Sequence, residues 1–220
     1  MNDVQRVRSE SIGRCVQWFL DMVGSIIVPS VLHTKFTALQ TAHNNILDIA
    51  GQLAAEQSTA SQEYSGKGGD RETVRNLVAA ISKMAFAMSG DFPDIDVLFK
   101  FRRNMNDQDL LATARAFATN AAAHAADFIA WGLPATFIAD LTAAADEFEA
   151  SINTTSSAVD GRVSLNAQLN AAISEASKIK RSIGTMVTTQ FVANIGAIAS
   201  WISASHVEAL HITPATPPTP

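Results

Sequence analysis

The side chains of this 220-residue chain most able to do chemistry are five histidines (His33, His43, His124, His206 and His211), one cysteine, Cys15, and twenty-one carboxylates. In a helical protein they suggest first a di-iron or di-manganese centre. Such a centre takes Glu from facing helices and Glu-x-x-His pairs from two more, so that carboxylates bridge two metals while imidazoles cap them. The only Glu-x-x-His run is Glu208–His211, and no two histidines stand at i, i+4. A di-metal site needs a second such pair. His43 falls among apolar residues, where a single imidazole bonded to a neighbouring hydroxyl is the ordinary arrangement. The reading is that no metal is bound, with His43 and His124 the first residues to revisit if one were found.

Other chemistries lack their residues as well. Ser65-Gly66-Lys67-Gly68-Gly69 resembles a phosphate loop in composition, but Ser61 stands where that motif needs Gly and Gly68 where it needs Ser or Thr. It is expected to be a loop without a ligand. There is no G-x-S-x-G elbow for a nucleophilic serine, and Cys15 sits in an apolar run where a thiol is inert. One cysteine excludes an internal disulfide and a cysteine zinc site. Asp146, Glu147 and Glu149 read as the wet face of a helix. Lys100, Arg102 and Arg103 are too few for a nucleic-acid footprint and are expected to pair with the acidic residues 104–160, in the same chain or in a neighbouring one. Asn153-Thr154-Thr155 is a glycosylation sequon only in a secreted chain. No residue is assigned to catalysis, cofactor or metal, so the chain reads as a protein without enzymatic activity.

Stepping from these residues to the elements that carry them, the charge pattern says more than the charge total. The chain is 47% hydrophobic and only 17% charged, against about a quarter in ordinary domains, with a net charge of −5. Nucleic acid is therefore not an expected partner. Residues 1–103 are neutral overall, and residues 104–160 hold eight acids and only Arg115. Residues 182–220 hold a single charge, Glu208. A solvated helix carries charge on its outer face, so something is expected to cover this last stretch. Arg6, Arg8 and Arg14 precede the apolar run Cys15–Leu32, but Asp21 interrupts it, Pro29 breaks it and no small-residue cleavage site follows. Cytoplasmic residence is the default expectation.

Apolar residues recur at three and four throughout, which predicts an all-α fold: an antiparallel bundle of about five to seven helices. Segment one spans Val4–Val23, with Ile12, Val16, Phe19, Leu20 and Val23 on its stripe and Gly24 and Pro29 closing it. Segment two spans Ser30–Gln62. Ser58–Gly69 is expected to be a mobile loop, and Asp70 to cap segment three, whose stripe runs from Val74 to Met88. Asn106 caps segment four, which ends at Trp131-Gly132-Leu133-Pro134. Gly132 suits a left-handed helix end and Pro134 the start of the next helix, a link short enough to force an antiparallel hairpin.

Beyond Pro134 a period of seven persists. One seam is Leu141, Phe148, Thr155, Arg162, Leu169, Ala176 and Ile183. The other is Ala145, Ile152, Val159, Asn166, Ile173, Lys180 and Val187. This predicts one long coiled-coil-like helix, with Gly161 the place for a kink; the alternative is a break between two helices in the polar stretch Thr155–Asn166. Met186–Ala204 reads as a last helix, residues 1–212 as one bundle domain, and residues 213–220 as a Pro-rich tail.

Asn106 to Phe117, Gly132 to Phe137, Asp146 to Ala150 and Ser203 to Glu208 resemble the corresponding stretches of a group of uncharacterised, all-helical bacterial proteins of about this length. The resemblance implies a helical fold and a bacterial origin. It carries over no activity, cofactor or site residue.

Two segments look apolar on two sides. In Met186–Ala204, Val187, Phe191, Ile195, Ile198 and Ile202 form a bulky stripe, while Gly196, Ser200 and Ala204 form a face of small residues that permits close helix approach. In segment one, Cys15, Trp18 and Met22 make a second apolar face. The expected interface is therefore Trp18, Met22, Val187, Phe191, Ile195, Gly196, Ile198, Ser200, Trp201 and Ile202. The expected partner is a second copy of the chain, in a homo-oligomer or, if unlike surfaces meet head to tail, a filament. Three alternatives stand beside it: both segments belong to one core; residues 182–204 insert into or dock on a membrane; or the chain is a ligand binder or enzyme with a pocket between helices.

Overall fold

The computed structural model describes residues 1–23 and 29–208. Among these there are seven helices and no strand: α1 (Asp3–Met22), α2 (Ser30–Met88), α3 (Ile95–Leu98), α4 (Asp107–Ala122), α5 (Ala125–Ala130), α6 (Phe137–Gln190) and α7 (Ile195–Ser205). The all-α expectation holds, including one long helix after Pro134. Gly24 and the Pro-rich 213–220 stretch lie outside the described residues. Within the span read as one domain, contacts fall into two compact units. One comprises Met1–Glu56 and Gly161–Pro220, the other Gln57–Asp160.

In the first unit, α1 starts at a reciprocal cap. The Asn2 side chain accepts the Gln5 N–H at 2.9 Å, and the Gln5 side chain accepts the Asn2 N–H at 2.8 Å. This satisfies two of the four donors a helix start leaves unpaired. The buried face of α1 is Val7, Ile12, Cys15, Trp18 and Phe19, while Leu20 and Val23 are exposed. The inner face thus combines Ile12 and Phe19 of the stripe read first in the sequence with Cys15 and Trp18 of its second face. Phe19 stacks on Phe36 with ring centroids 4.0 Å apart, and Trp18 meets Trp201 edge-on at 5.2 Å. These rings join α1, α2 and α7 in one core with Leu169, Ile173, Ala176, Ile183 and Val187 of α6. Each such side chain contributes about 1.5–3 kcal/mol of burial.

The second unit closes around Phe99, whose ring lies edge-on to Phe117 at 5.1 Å and to Phe128 at 5.2 Å. Asn106 caps α4 as expected, accepting the Asp109 N–H at 2.8 Å. The chain reverses at Gly132, whose φ of +112° only glycine adopts without strain. The Leu133 N–H reaches the Phe128 carbonyl and the Gly132 N–H the Ile129 carbonyl, both at 3.0 Å, which is a Schellman ending. Pro134 opens a turn rather than the helix itself, its carbonyl accepting the Phe137 N–H where α6 begins. Phe128 packs on Phe137 at 5.6 Å, and further along Arg115 pairs with Glu149. Rising numbers on one helix therefore meet falling numbers nearer the turn, the expected antiparallel pairing.

Three expectations give way. Ser58–Gly69 is helical throughout, inside α2, and Asp70 is mid-helix rather than a cap. Tertiary contacts override the weak propensity of Gly66, Gly68 and Gly69. Lys67 Nζ lies 2.9 Å from Asp107 Oδ2, and Asp70 accepts a hydrogen bond from the Ser151 hydroxyl. The segment read as one helix up to Trp131 is divided at Ala123–His124 into α4 and α5. Met186–Ala204 is also two pieces. α6 stops at Gln190, and Asn194 caps α7 by accepting the Ala197 N–H at 3.0 Å.

Candidate functional site

The residues expected to form an interface all lie in the first unit, and the structure sorts them by depth. Trp18, Val187 and Trp201 are buried in that unit's own core. The Trp18 indole N–H donates to the Ser200 hydroxyl at 2.7 Å, so part of the small-residue face is turned toward α1. Gly184 is the small residue that admits Trp201: a Cβ built on it would lie 3.2 Å from the indole Nε1. Met22, Phe191 and Ile198 are half-buried, and Gly196 is exposed. The two apolar terminal segments therefore complement each other within one chain, and the inner faces belong to one core.

What they leave outside is the outer face of α7. Ile195 is 78% exposed and Ile202 59%, with Val192 exposed just before the helix. Gly196, Ala199 and Ser203 are exposed between and beside them. In the eleven residues of α7 only Ala197 and Trp201 are buried, and none is charged. At the same end of the unit, where Phe19 meets His33 at 5.3 Å, Leu20, Val23 and Val31 are exposed as well. On α7 the apolar side chains are grouped without charge, the usual mark of a binding face, whereas exposed Asp21 stands between Leu20 and Val23.

In the second unit the polar groups converge on Asp107, at the first residue of α4. Lys67 Nζ stands 2.9 Å from one carboxylate oxygen and Arg71 Nε 2.8 Å from the other, while Arg71 Nη2 donates to the Met105 carbonyl at 2.6 Å. Burial works to raise the Asp107 carboxyl, but the hydrogen bonds and charges of Lys67 and Arg71 together hold it below the ordinary carboxylate range. Next to this cluster a cleft of roughly 690 Å³ is bounded by Tyr64, Ile152, Thr155, Val159 and Asp160. Its cation, Lys67, is already bonded to Asp107, so the cluster ties α2 to α4 rather than offering free groups to a ligand. The spacing gives no sign of this cluster, because Lys67 stands 40 residues and Arg71 36 residues before Asp107, and Lys67 falls in the stretch expected to be a loop.

The remaining candidates are placed as follows. Arg115 pairs with Glu149 and lies 3.7 Å from Asp146, so the acidic cluster on α6 is partly neutralised. Lys100, Arg102 and Arg103 make no ion pair among the described residues, so the pairing expected within the chain is not seen. The acids of 104–160 turn instead to Lys67, Arg71 and Arg115, which their own helices bring into reach. Cys15 is fully buried, and burial pushes its thiol up to about 11, consistent with an unreactive cysteine. His43 is not the satisfied core histidine expected. Its Nδ1 is buried with no hydrogen-bond partner among the described residues, and burial lowers its pKa. The ring fills the space over Gly13 instead of facing a hydroxyl. His211 lies outside the described residues. Among those described, no three His, Cys, Asp or Glu side chains are grouped to hold a metal ion.

No described helix is long and apolar enough to cross a membrane, and residues 182–204 are interrupted at 191–194. Comparison of the chain with protein-family models, curated proteins and solved structures finds no match.

Proposed function

We propose that this chain is an interaction protein that pairs with a second copy of itself through the outer face of α7. The observation that supports the reading is the helix itself: eleven residues with no charge, two of them buried, and Ile195 and Ile202 standing in solvent. A solitary surface helix normally carries charge on its wet side. Residues 182–207 carry none, and the charges that reach the helix, Lys180 on the Ser205 carbonyl and Arg14 on the His206 carbonyl, lie at its C-terminal end.

The structure also bears on the kind of pairing. Head-to-tail assembly into a filament needs the apolar face of α1 to be free for the α7 of another copy. Trp18 and Cys15 are occupied inside their own chain, and the Leu20 and Val23 that α1 leaves exposed flank the charged Asp21, which supports like against like over head to tail: a closed two-fold pair with Gly196, Ala199 and Ser203 allowing the helices to approach. Burying what remains exposed of Val192, Ile195, Ile198 and Ile202 contributes about 1–2 kcal/mol per side chain, against an association cost of about 4–15 kcal/mol. Four side chains on each of two copies sum to about 8–16 kcal/mol, the same size as that cost, so pairing is weak and concentration-dependent.

Light scattering on the full chain from micromolar to millimolar concentration tests this. The expected result is a monomer–dimer transition that the double substitution Ile195→Glu, Ile202→Glu abolishes while leaving the helical circular dichroism intact. A wild-type monomer at every concentration overturns it. Flotation with neutral lipid vesicles distinguishes the membrane alternative: vesicle binding without self-association assigns the same face to lipid and refutes pairing.

A further inference from the structure

A second surface of the first unit has the opposite character. A cavity of about 370 Å³ is lined by Arg8 of α1, by Ser174, Ser177, Lys180 and Arg181 of α6, and by Val207. Three cations and two hydroxyls meet there with no carboxylate among the lining residues. The nearby acids are engaged elsewhere. Glu10 pairs with Arg6 at 2.9 Å, Glu175 with Lys178 at 3.2 Å, and Glu208 with Arg14 at 3.4 Å. Arg8 and Arg181 have no ion-pair partner among the described residues.

Lys180 is held in place from behind. Its ammonium donates to the Ser11 hydroxyl at 2.8 Å and to the Ser205 carbonyl at 3.0 Å, while Ser11 donates to the same carbonyl at 3.0 Å. An ammonium has three protons, so one is left over. Burial, with the nearby Arg14 adding to it, lowers the Lys180 pKa against the weaker opposing pull of Cys15. A half-buried cation grouped with two unneutralised arginines is unfavourable in an empty cavity, and the cost is relieved when an anion enters. The chain as a whole is acidic at −5, so this concentration of positive charge is local and not a by-product of composition.

We propose that this cavity binds a phosphate-bearing anion. Two guanidinium groups offer planar forks that match phosphate oxygens, Lys180 supplies a fixed point charge, and the Ser174 hydroxyl is a neutral donor. Ser177 is less available, since its hydroxyl already donates to the Ile173 carbonyl at 2.7 Å. A group carrying about two negative charges balances the site better than a single carboxylate does. The cavity has room for a phosphorylated small molecule or a lipid headgroup, which share this chemistry.

The experiment uses the full chain in two arms. In the first, inorganic pyrophosphate is titrated calorimetrically at constant ionic strength. In the second, flotation compares phosphatidylcholine vesicles with and without phosphatidic acid. Saturable one-to-one binding of pyrophosphate is expected, weakened at least tenfold in the double variant Arg8→Gln, Arg181→Gln. Both positions are exposed, and the variant is expected to keep the wild-type thermal midpoint without ligand. Binding seen only with phosphatidic acid vesicles, and lost in the same variant, keeps the phosphate site and assigns it to lipid. Absence of binding in both arms, or binding that the double variant retains, overturns the proposal.

Discussion

The helical state of residues 58–69 gives the sharpest test of the fold, because three of those residues, Gly66, Gly68 and Gly69, are poor helix formers. A Cβ built on any of the three meets no heavy atom within 4 Å. Replacing each with Ala therefore adds no clash and removes a helix-interior penalty of about 0.5–1 kcal/mol apiece. The triple variant is expected to gain about 1.5–3 kcal/mol, a rise in Tm of about 3–12 °C for a chain of this size. The gain should come without any increase in helical circular dichroism, since the segment is helical already. Trypsin should not cut at Lys67 in the native wild-type chain, whose side chain is pinned to Asp107. Lost stability, or a marked rise in helical signal on substitution, together with early cleavage at Lys67, would show that the glycines make a loop and that α2 is two helices.

Other outcomes follow from single contacts. Gly132→Val should lose about 1 kcal/mol or more in thermal unfolding, because the φ of +112° is strained for any side chain and most for a β-branched one; a neutral result would mean that the turn is built differently. Gly13→Ala places a Cβ 2.7 Å from His43 Nε2, an overpacking of about 1–3 kcal/mol from which the helix-interior gain of about 0.5–1 kcal/mol is subtracted, and should lose about 0.5–2 kcal/mol net. Adding His43→Ala should recover most of that loss, and strict additivity in the double-mutant cycle would refute the contact. His43 itself has a folded-state pKa below the usual 6.5, so the unfolded chain takes up its proton first. Stability contributed by the neutral ring is present above about pH 6.5 and declines as pH falls through the window below it. Urea unfolding of wild type and His43→Leu at pH 7.5 and 5 should show the wild type losing more on acidification, and equal losses would sink the reading.

What the sequence revealed was the part governed by local rules. The Asn106 cap and the Gly132 reversal depend on residues within one or two turns of each other, and both stand where expected. The period of seven beyond Pro134 marked a single long helix because Leu141 and Phe148 stay in register with Leu169, Ala176 and Ile183 across the polar Thr155 and Arg162. The errors arose where distant contacts decide. Glycine-rich composition argued for a loop at Ser58–Gly69, but Asp107 and Ser151, remote in sequence, hold that stretch against two other helices. Apolar spacing does not mark Asn194 as a helix start, but its side chain caps α7 and separates the stripe from Val187 to Ile202 into two elements. The interface residues were correctly seen as apolar on two faces, but spacing alone does not say that Trp18 meets Trp201 of the same chain. The basic cavity escaped notice because Arg8 and Arg181 come from opposite ends of the sequence and join only when α1 lies beside α6.

The central claim, that the uncharged outer face of α7 pairs with its counterpart on a second copy, is tested most directly by multi-angle light scattering of the full chain across concentration. Wild type should move from the mass of one chain toward that of two as concentration rises, and Gly196→Leu, which blocks close approach of the helices, should hold it at one. A wild-type mass that stays at one chain up to millimolar concentration would contradict the claim, as would growth beyond two chains, which a closed pair forbids.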